Sequence, residues 1–158
     1  MTIKVALAGA GAFGIKHLDG IQNIPDVEVV SLISRDLAKT QEVADKYGIP
    51  HVTTKLEDSL AIKEVDAVIL CTPTQMHASQ SIACLEAGKH VQVEIPLCDI
   101  LSEGQAVVNL QKQTGLVAMC GHTRRFNPSH QWVHKKVTAG EFNIQQMDVQ
   151  TYFFRRTN

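Results

Sequence analysis

The run Gly9-Ala10-Gly11-Ala12-Phe13-Gly14 follows the short apolar segment Ile3 to Ala8. It opens a stretch in which Ile15, Leu18 and Ile21 recur at helical spacing. A G-x-G-x-x-G placed between a strand and an amphipathic helix is the signature of a dinucleotide-binding βαβ unit. Each glycine has its own task. Gly9 makes the tight turn, Gly11 lets a pyrophosphate approach the backbone, and Gly14 lets the helix pack on the strand. The first residues of that helix, Ala12 and Phe13, offer unbonded N–H groups and the positive dipole end to the phosphates.

Strand-like and helix-like segments then alternate. Val27 to Ser34 predicts a second strand, and Asp36 caps a helix that carries Leu37, Val43, Ala44 and Tyr47 and stops at Gly48. Val65 to Cys71 predicts a third strand, followed by a helix over Gln75 to Ala87. His90 to Val93 and Leu116 to Cys120 predict further strands, with a helix near Ser102 to Gln113 between them. This order implies parallel pairing with right-handed crossovers, hence an α/β fold with a doubly wound parallel sheet of the Rossmann type.

The last stretch has a different rhythm. After an expected helix over Pro128 to Ala139, Gln145 to Phe154 alternates apolar and polar residues, with Met147, Val149 and Phe153 on one side. That pattern predicts a half-buried strand of an antiparallel sheet, the first strand of a second α/β domain. The expected division is a dinucleotide-binding domain over 1–121, and a linker helix and first strand over 122–158. One strand cannot cover its own apolar face. Either the chain continues beyond these residues, or the strand pairs with another subunit in a homo-oligomer.

Composition narrows the partners. Fifteen basic and sixteen acidic residues among 158 leave a net charge of −1. Such a balance provides no field for gripping nucleic acid or an anionic membrane. The N-terminus runs directly into a strand without a signal-peptide pattern, and no apolar run approaches the ~20 residues of a membrane span. Cys71, Cys84, Cys98 and Cys120 form no C-x-x-C pair, so a reduced, cytoplasmic protein is expected. His17, His51, His90, His130 and His134 share no ligand spacing, and no metal is expected.

Three further segments carry chemistry. About 20 residues after the glycine turn, where a carboxylate normally grips the ribose 2′-hydroxyl, stand Ser34 and Arg35. A hydroxyl and a guanidinium suit a 2′-phosphate, which points to NADP. Cys71-Thr72-Pro73 ends a strand, so its backbone is expected along the nicotinamide ribose, with His77 on the nicotinamide side. Glu94-Ile95-Pro96 and Gly121-His122-Thr123-Arg124-Arg125-Phe126 end two more strands at the same sheet edge. His122 is expected near the cofactor. Arg124 is either a partner for a substrate carboxylate or half of an interdomain salt bridge; for Arg125 the salt bridge is the favoured reading.

Taken in order, Gly9 to Gly14 with His17, Cys71-Thr72-Pro73 with His77, Ala87-Gly88-Lys89-His90-Val91, Glu94-x-Pro96 and Arg125-Phe126-x-Pro128 resemble the glucose–fructose oxidoreductase/inositol dehydrogenase family. The resemblance spans nearly the whole chain. It implies a Rossmann domain followed by a larger domain with an open antiparallel sheet, a chain about twice this length, and Glu94 and Pro96 beside the cofactor. Within the family, Cys71 to His77, His90 to Pro96, Gly121 to His130 and Gln145 to Arg156 resemble members that act in aromatic acid breakdown. Those members oxidise a carboxylated cyclic hemiacetal with NADP to a lactone such as 2-pyrone-4,6-dicarboxylate. The family usually places a lysine between Glu94 and Pro96 that helps activate the substrate hydroxyl; here that residue is Ile95. The resemblance puts the family's other catalytic histidine beyond residue 158. His77 and His122 are the remaining candidates for proton transfer.

Two functions fit these residues. One is an NADP-dependent dehydrogenase whose second domain supplies most of the substrate pocket. The other is a non-catalytic dinucleotide sensor on the same fold, for which Ile95 in place of lysine is the expected residue.

Overall fold

The computed structural model describes residues 1–150 and 152. Six strands form one sheet: β1 (Ile3–Ala8), β2 (Val27–Ile33), β3 (His51–Thr53), β4 (Ala67–Leu70), β5 (His90–Val93) and β6 (Ala118–Cys120). All pair in parallel, in the spatial order β3-β2-β1-β4-β5-β6. The helices are α1 (Ala12–Ile21), α2 (Leu37–Tyr47), α3 (Leu56–Leu60), α4 (Thr74–Glu86), α5 (Leu101–Thr114) and α6 (Pro128–Thr138). The chain divides into two compact units, the first spanning Met1–Gly121 and the second beginning at His122.

Strand alternation sorts the core of the first unit onto two faces. Leu7 of β1 and Leu32 of β2 are wholly buried with Leu18 of α1, Ala44 of α2 and Ile49. Ala6 and Ala8 of β1 face the other way, into a larger cluster with Val68, Leu70, Leu85, Val91, Val93 and Val107. Each buried leucine is worth about 1.5–3 kcal/mol relative to exposure. With both faces covered, the central strands read as continuous apolar runs, as a parallel sheet requires. Asp36 caps α2 by accepting from the Lys39 N–H, and Gly48 ends it at φ 70°. Lys89, nearly buried, donates from Nζ to the carbonyls of Ile62, Lys63 and Val65 at 3.2, 3.4 and 2.6 Å, which fastens the turn before β5 to the approach to β4.

Three local features differ from the sequence expectation. β3 and α3 were not expected; three residues are too few to show a period of two, and α3 is a single turn and a half. Thr123–Phe126 forms a 3₁₀ turn. The strand expected over Gln145 to Phe154 is absent among its described residues, 145–150 and 152, which are irregular with Met147 and Val149 each 64% exposed; 151, 153 and 154 lie outside the described residues. The reason is hydrogen bonding. A strand exists only against a partner's N–H and C=O groups, and no strand is assigned within the described residues of the second unit. What the second unit does form is α6, capped by Asn127, with Trp132 packed edge-on against Phe142 at 5.5 Å.

Candidate functional site

The site is built at the carboxyl ends of three strands. β1 lies between β2 and β4, so the chain winds away from it in both directions, and the crevice over such a switch point is where open parallel sheets bind ligands. Backbone hydrogen bonds hold the three strand ends together. Gly9 N–H donates to Ile33 O and Cys71 N–H to Ala8 O, each at 2.7 Å. A cavity of about 580 Å³ opens there, bounded by Gly9 and Gly11, by Ser34 and Arg35, and by Cys71, Thr72 and Pro73. Three segments singled out separately in the sequence therefore converge on one hollow.

The three glycines are required for different physical reasons. Gly9 sits at φ 110°, where side chains are strained, and a Cβ there would strike the backbone of Cys71. A Cβ at Gly14 would run into the carbonyl of Gly9. Both positions are fixed from inside the protein. Gly11 is the exception: a Cβ there would meet nothing within 4 Å, and the residue borders the cavity. The space that its missing side chain leaves is open to a ligand at the head of α1, which is the fit a pyrophosphate needs.

The far wall adds residues that the sequence did not single out. Thr54 and Lys55, from the turn between β3 and α3, and Leu56 and Glu57, which open α3, face the same cavity. Met76 and Gln80 of α4 also line it, and Gln80 accepts a hydrogen bond from the Thr72 hydroxyl at 2.6 Å. The missed signal was β3 itself, since its end must stand beside the end of β2.

Other expected residues stand elsewhere in the first unit. Ala12 and Phe13 begin α1, and Phe13 is exposed with Lys16 Nζ 5.3 Å from its ring centre. Glu94, at the end of β5, is paired with His17 of α1 at 2.8 Å. Ile95, which follows it, is 47% exposed. His77 is only 2% exposed, and both its ring nitrogens are 2.7 Å from backbone carbonyl oxygens, Nδ1 from Pro96 and Nε2 from Thr72. The ring thus joins the backbone at the Thr72 turn to that at Pro96, which gives His77 a positioning role in the structure. Pro96 contributes this carbonyl rather than a wall of the cavity.

Burial holds two of the thiols in their protonated form. Burial pushes Cys71 up to about 12, with the Glu94 charge adding to it, and burial alone pushes Cys84 up to about 12. All four cysteines are free. Among the described residues no helix is long and apolar enough to cross a membrane.

His122 and Arg124 belong to the second unit. His122 caps the 3₁₀ turn and is exposed. Arg124 lines a hollow of about 710 Å³ with Arg125, His130, Gln131, His134 and Lys135. No carboxylate borders it among the described residues.

Comparison with known proteins gives the following. The model of an oxidoreductase family with an NAD-binding Rossmann fold, Gfo/Idh/MocA, matches residues 3–122, and that of the C-terminal domain of bacterial oxidoreductases matches 128–158. The chain is 65% identical over 156 residues to the 4-carboxy-2-hydroxymuconate-6-semialdehyde dehydrogenase of a Sphingobium species, covering 99% of this chain and 50% of that one. It is 30% identical to the NAD(+)-dependent scyllo-inositol 2-dehydrogenase of Bacillus subtilis, over 88% of this chain and 41% of that one. The crystal structure of scyllo-inositol dehydrogenase from Lactobacillus casei with bound NAD(H) and scyllo-inositol superposes with a TM-score of 0.85 at 26% identity, over 89% of this chain and 42% of that one. The chain thus spans about half the length of the relatives it matches.

Proposed function

The chain belongs to the Gfo/Idh/MocA oxidoreductase family, with its NAD-binding Rossmann fold, and we propose that it serves an NADP-dependent dehydrogenase of aromatic acid degradation. Its substrate is a carboxylated semialdehyde in its cyclic hemiacetal form, and its product a lactone such as 2-pyrone-4,6-dicarboxylate. The observation that carries this reading is the 65% identity to a semialdehyde dehydrogenase along 99% of the chain. The enzyme is placed in the cytoplasm as a homo-oligomer.

The residues divide the work as follows. The open space beside Gly11 and the free N–H groups at the start of α1 take the pyrophosphate. Ser34 and Arg35 take the ribose 2′-phosphate. Asp36, the nearest carboxylate in sequence, is occupied as the cap of α2 and lies 3.3 Å from Lys39 Nζ, so it leaves the 2′ position to Arg35. Cys71, Thr72 and Pro73 form the wall along the nicotinamide ribose, with the Thr72 backbone held by His77. Bound nicotinamide supplies the acceptor for the hydride, two electrons and a proton nucleus, that leaves the hemiacetal carbon as its hydroxyl oxygen closes to the lactone carbonyl. The hydroxyl proton needs an acceptor. Ile95 has none to offer, a hemiacetal hydroxyl is more acidic than a simple alcohol, and general-base help is typically ~10²–10⁴-fold. His122 is assigned to this proton, and Arg124 to a substrate carboxylate. A guanidinium can meet a carboxylate through two parallel N–H···O bonds, which a neutral polyol cannot offer.

The test is reduction of NADP by the full-length enzyme, followed by the absorbance of reduced nicotinamide. The hemiacetal is expected to drive it, and inositol and glucose are not. The exposed Ile95 keeps a sensor reading in view; tight dinucleotide binding with no reduction by any carboxylated hemiacetal would establish that alternative.

A further inference from the structure

We infer that Lys55 is a second cation for the 2′-phosphate of the cofactor and shares with Arg35 the choice of NADP over NAD. The inference rests on the proposed NADP reading and adds to it a residue on a strand end that no cofactor motif marks.

β2 and β3 run parallel, with Ser31, Leu32 and Ile33 opposite His51, Val52 and Thr53. The ladder continues one step past the strands, because Ser34 N–H donates to Thr53 O at 3.1 Å. Arg35 and Lys55 each stand two residues beyond the last paired positions, Ile33 and Thr53, at the same end of the sheet. Ser34, Arg35, Thr54 and Lys55 line the cavity that also holds Gly9 and Gly11.

The backbone beneath Lys55 is pinned. Lys55 N–H donates to Thr53 Oγ1 at 3.1 Å, and that hydroxyl in turn donates to Asp58 at 2.6 Å. Asp58 is thereby engaged, as Asp36 is by Lys39. Glu57 also borders the cavity, and no ion pair joins it to Arg35 or Lys55 among the described residues. Arg35 and Lys55 thus bring two cations to one cavity, where they repel one another until an anion arrives. A phosphate monoester, close to doubly charged at neutral pH, answers both; a ribose 2′-hydroxyl answers neither.

The experiment is calorimetric titration of the intact chain with NADP and with NAD, for the wild type, Lys55→Gln and Lys55→Arg. Lys55 is exposed, so neither variant disturbs the core. Lys55→Gln is expected to weaken NADP about five- to tenfold, the size of one charge-assisted hydrogen bond at a partly exposed site, and to change NAD less than about twofold. Lys55→Arg should restore most of the loss. Equal weakening of both cofactors would overturn the inference, since Lys55 would then shape the pocket rather than read the phosphate. A wild type that prefers NADP together with an unaffected Lys55→Gln would overturn it too, leaving Arg35 as the reader. A wild type that binds both cofactors equally would sink the NADP reading itself.

Discussion

His17 Nε2 stands 2.8 Å from Glu94 Oε1 and ties the second turn of α1 to the end of β5. The Glu94 side chain is only 12% exposed, so the histidine stands in for much of its lost water. Removing that partner leaves a nearly buried carboxylate short of a donor, which costs about 1–3 kcal/mol. His17→Ala should lower stability in urea by that amount. Glu94→Gln should cost less, because its amide oxygen can still accept from the ring. If the two variants unfold at the same urea concentration, the pair's value lies in charge and not in the hydrogen bond.

Gly11 and Gly14 belong to one motif but answer to different neighbours, and alanine separates them. Gly14→Ala drives a methyl into the Gly9 carbonyl; overpacking of this kind costs about 1–3 kcal/mol or more. Gly11→Ala meets nothing in the protein. Its melting temperature should match the wild type while dinucleotide affinity falls at least about tenfold, since the methyl takes the pyrophosphate's space. Calorimetry and thermal unfolding on the same two samples check both statements. A Gly11→Ala chain that binds normally would show that the ligand does not pass there.

His77 should behave as a clamp and not as an acid or base. With both nitrogens 2.7 Å from the carbonyls of Thr72 and Pro96, its loss leaves the carbonyl that accepts from its N–H without a donor, at about 1–3 kcal/mol in buried surroundings. His77→Leu is therefore expected to destabilise the fold and to raise KM for the dinucleotide. In the full-length enzyme the pH profile of the remaining kcat should keep its shape. A profile that loses one of its limbs would return His77 to the proton path.

The raised thiols set an alkaline limit. Folded Cys71 and Cys84 hold their protons to about 12, whereas an unfolded thiol gives its proton up near 9.0. Between those values the unfolded chain binds fewer protons, so stability falls as pH rises; below about pH 9 the two thiols contribute no slope. Unfolding free energy followed from about pH 8 to 11 should be level and then decline. Cys84→Ala should reduce the decline. The native chain should also resist alkylation at Cys84 at about pH 8, because the thiolate is the reactive form.

Most of the cavity lining was legible because its residues are spaced by backbone rules. Gly9 and Gly11 are dictated by a turn and a ligand, Ser34 and Arg35 follow from the length of one βαβ unit, and Cys71 to Pro73 from a buried strand's end. Lys55 and Gln80 were not legible. Lys55 depends on a three-residue edge strand with no period of its own, and Gln80 on a helical face whose partner, Thr72, lies eight residues earlier. The backbone contacts of His77 were not legible, because sequence spacing cannot tell that two carbonyls close over a ring. Over the described residues 145–150 and 152 no strand is assigned, for a related reason: alternation records which side a strand would bury, and a strand also needs a partner's N–H and C=O groups.

Substrate charge is the point on which the reading of the second unit turns. Arg124 stands with Arg125, His130, His134 and Lys135 around one hollow, in a chain whose net charge is −1. A carboxylate gives a guanidinium a bidentate partner, and a neutral polyol does not. Arg124→Met keeps the length and removes the charge. In the full-length enzyme this variant is expected to lower kcat/KM for the carboxylated hemiacetal by about 2–4 kcal/mol, the cost of breaking a desolvated charge pair at a binding site. NADP affinity, read by titration without substrate, should stay within about twofold of the wild type. Full activity in the variant would remove Arg124 from substrate recognition. A matching fall in NADP affinity would instead assign the arginine to the cofactor or to the fold, and the carboxylate argument would go with it.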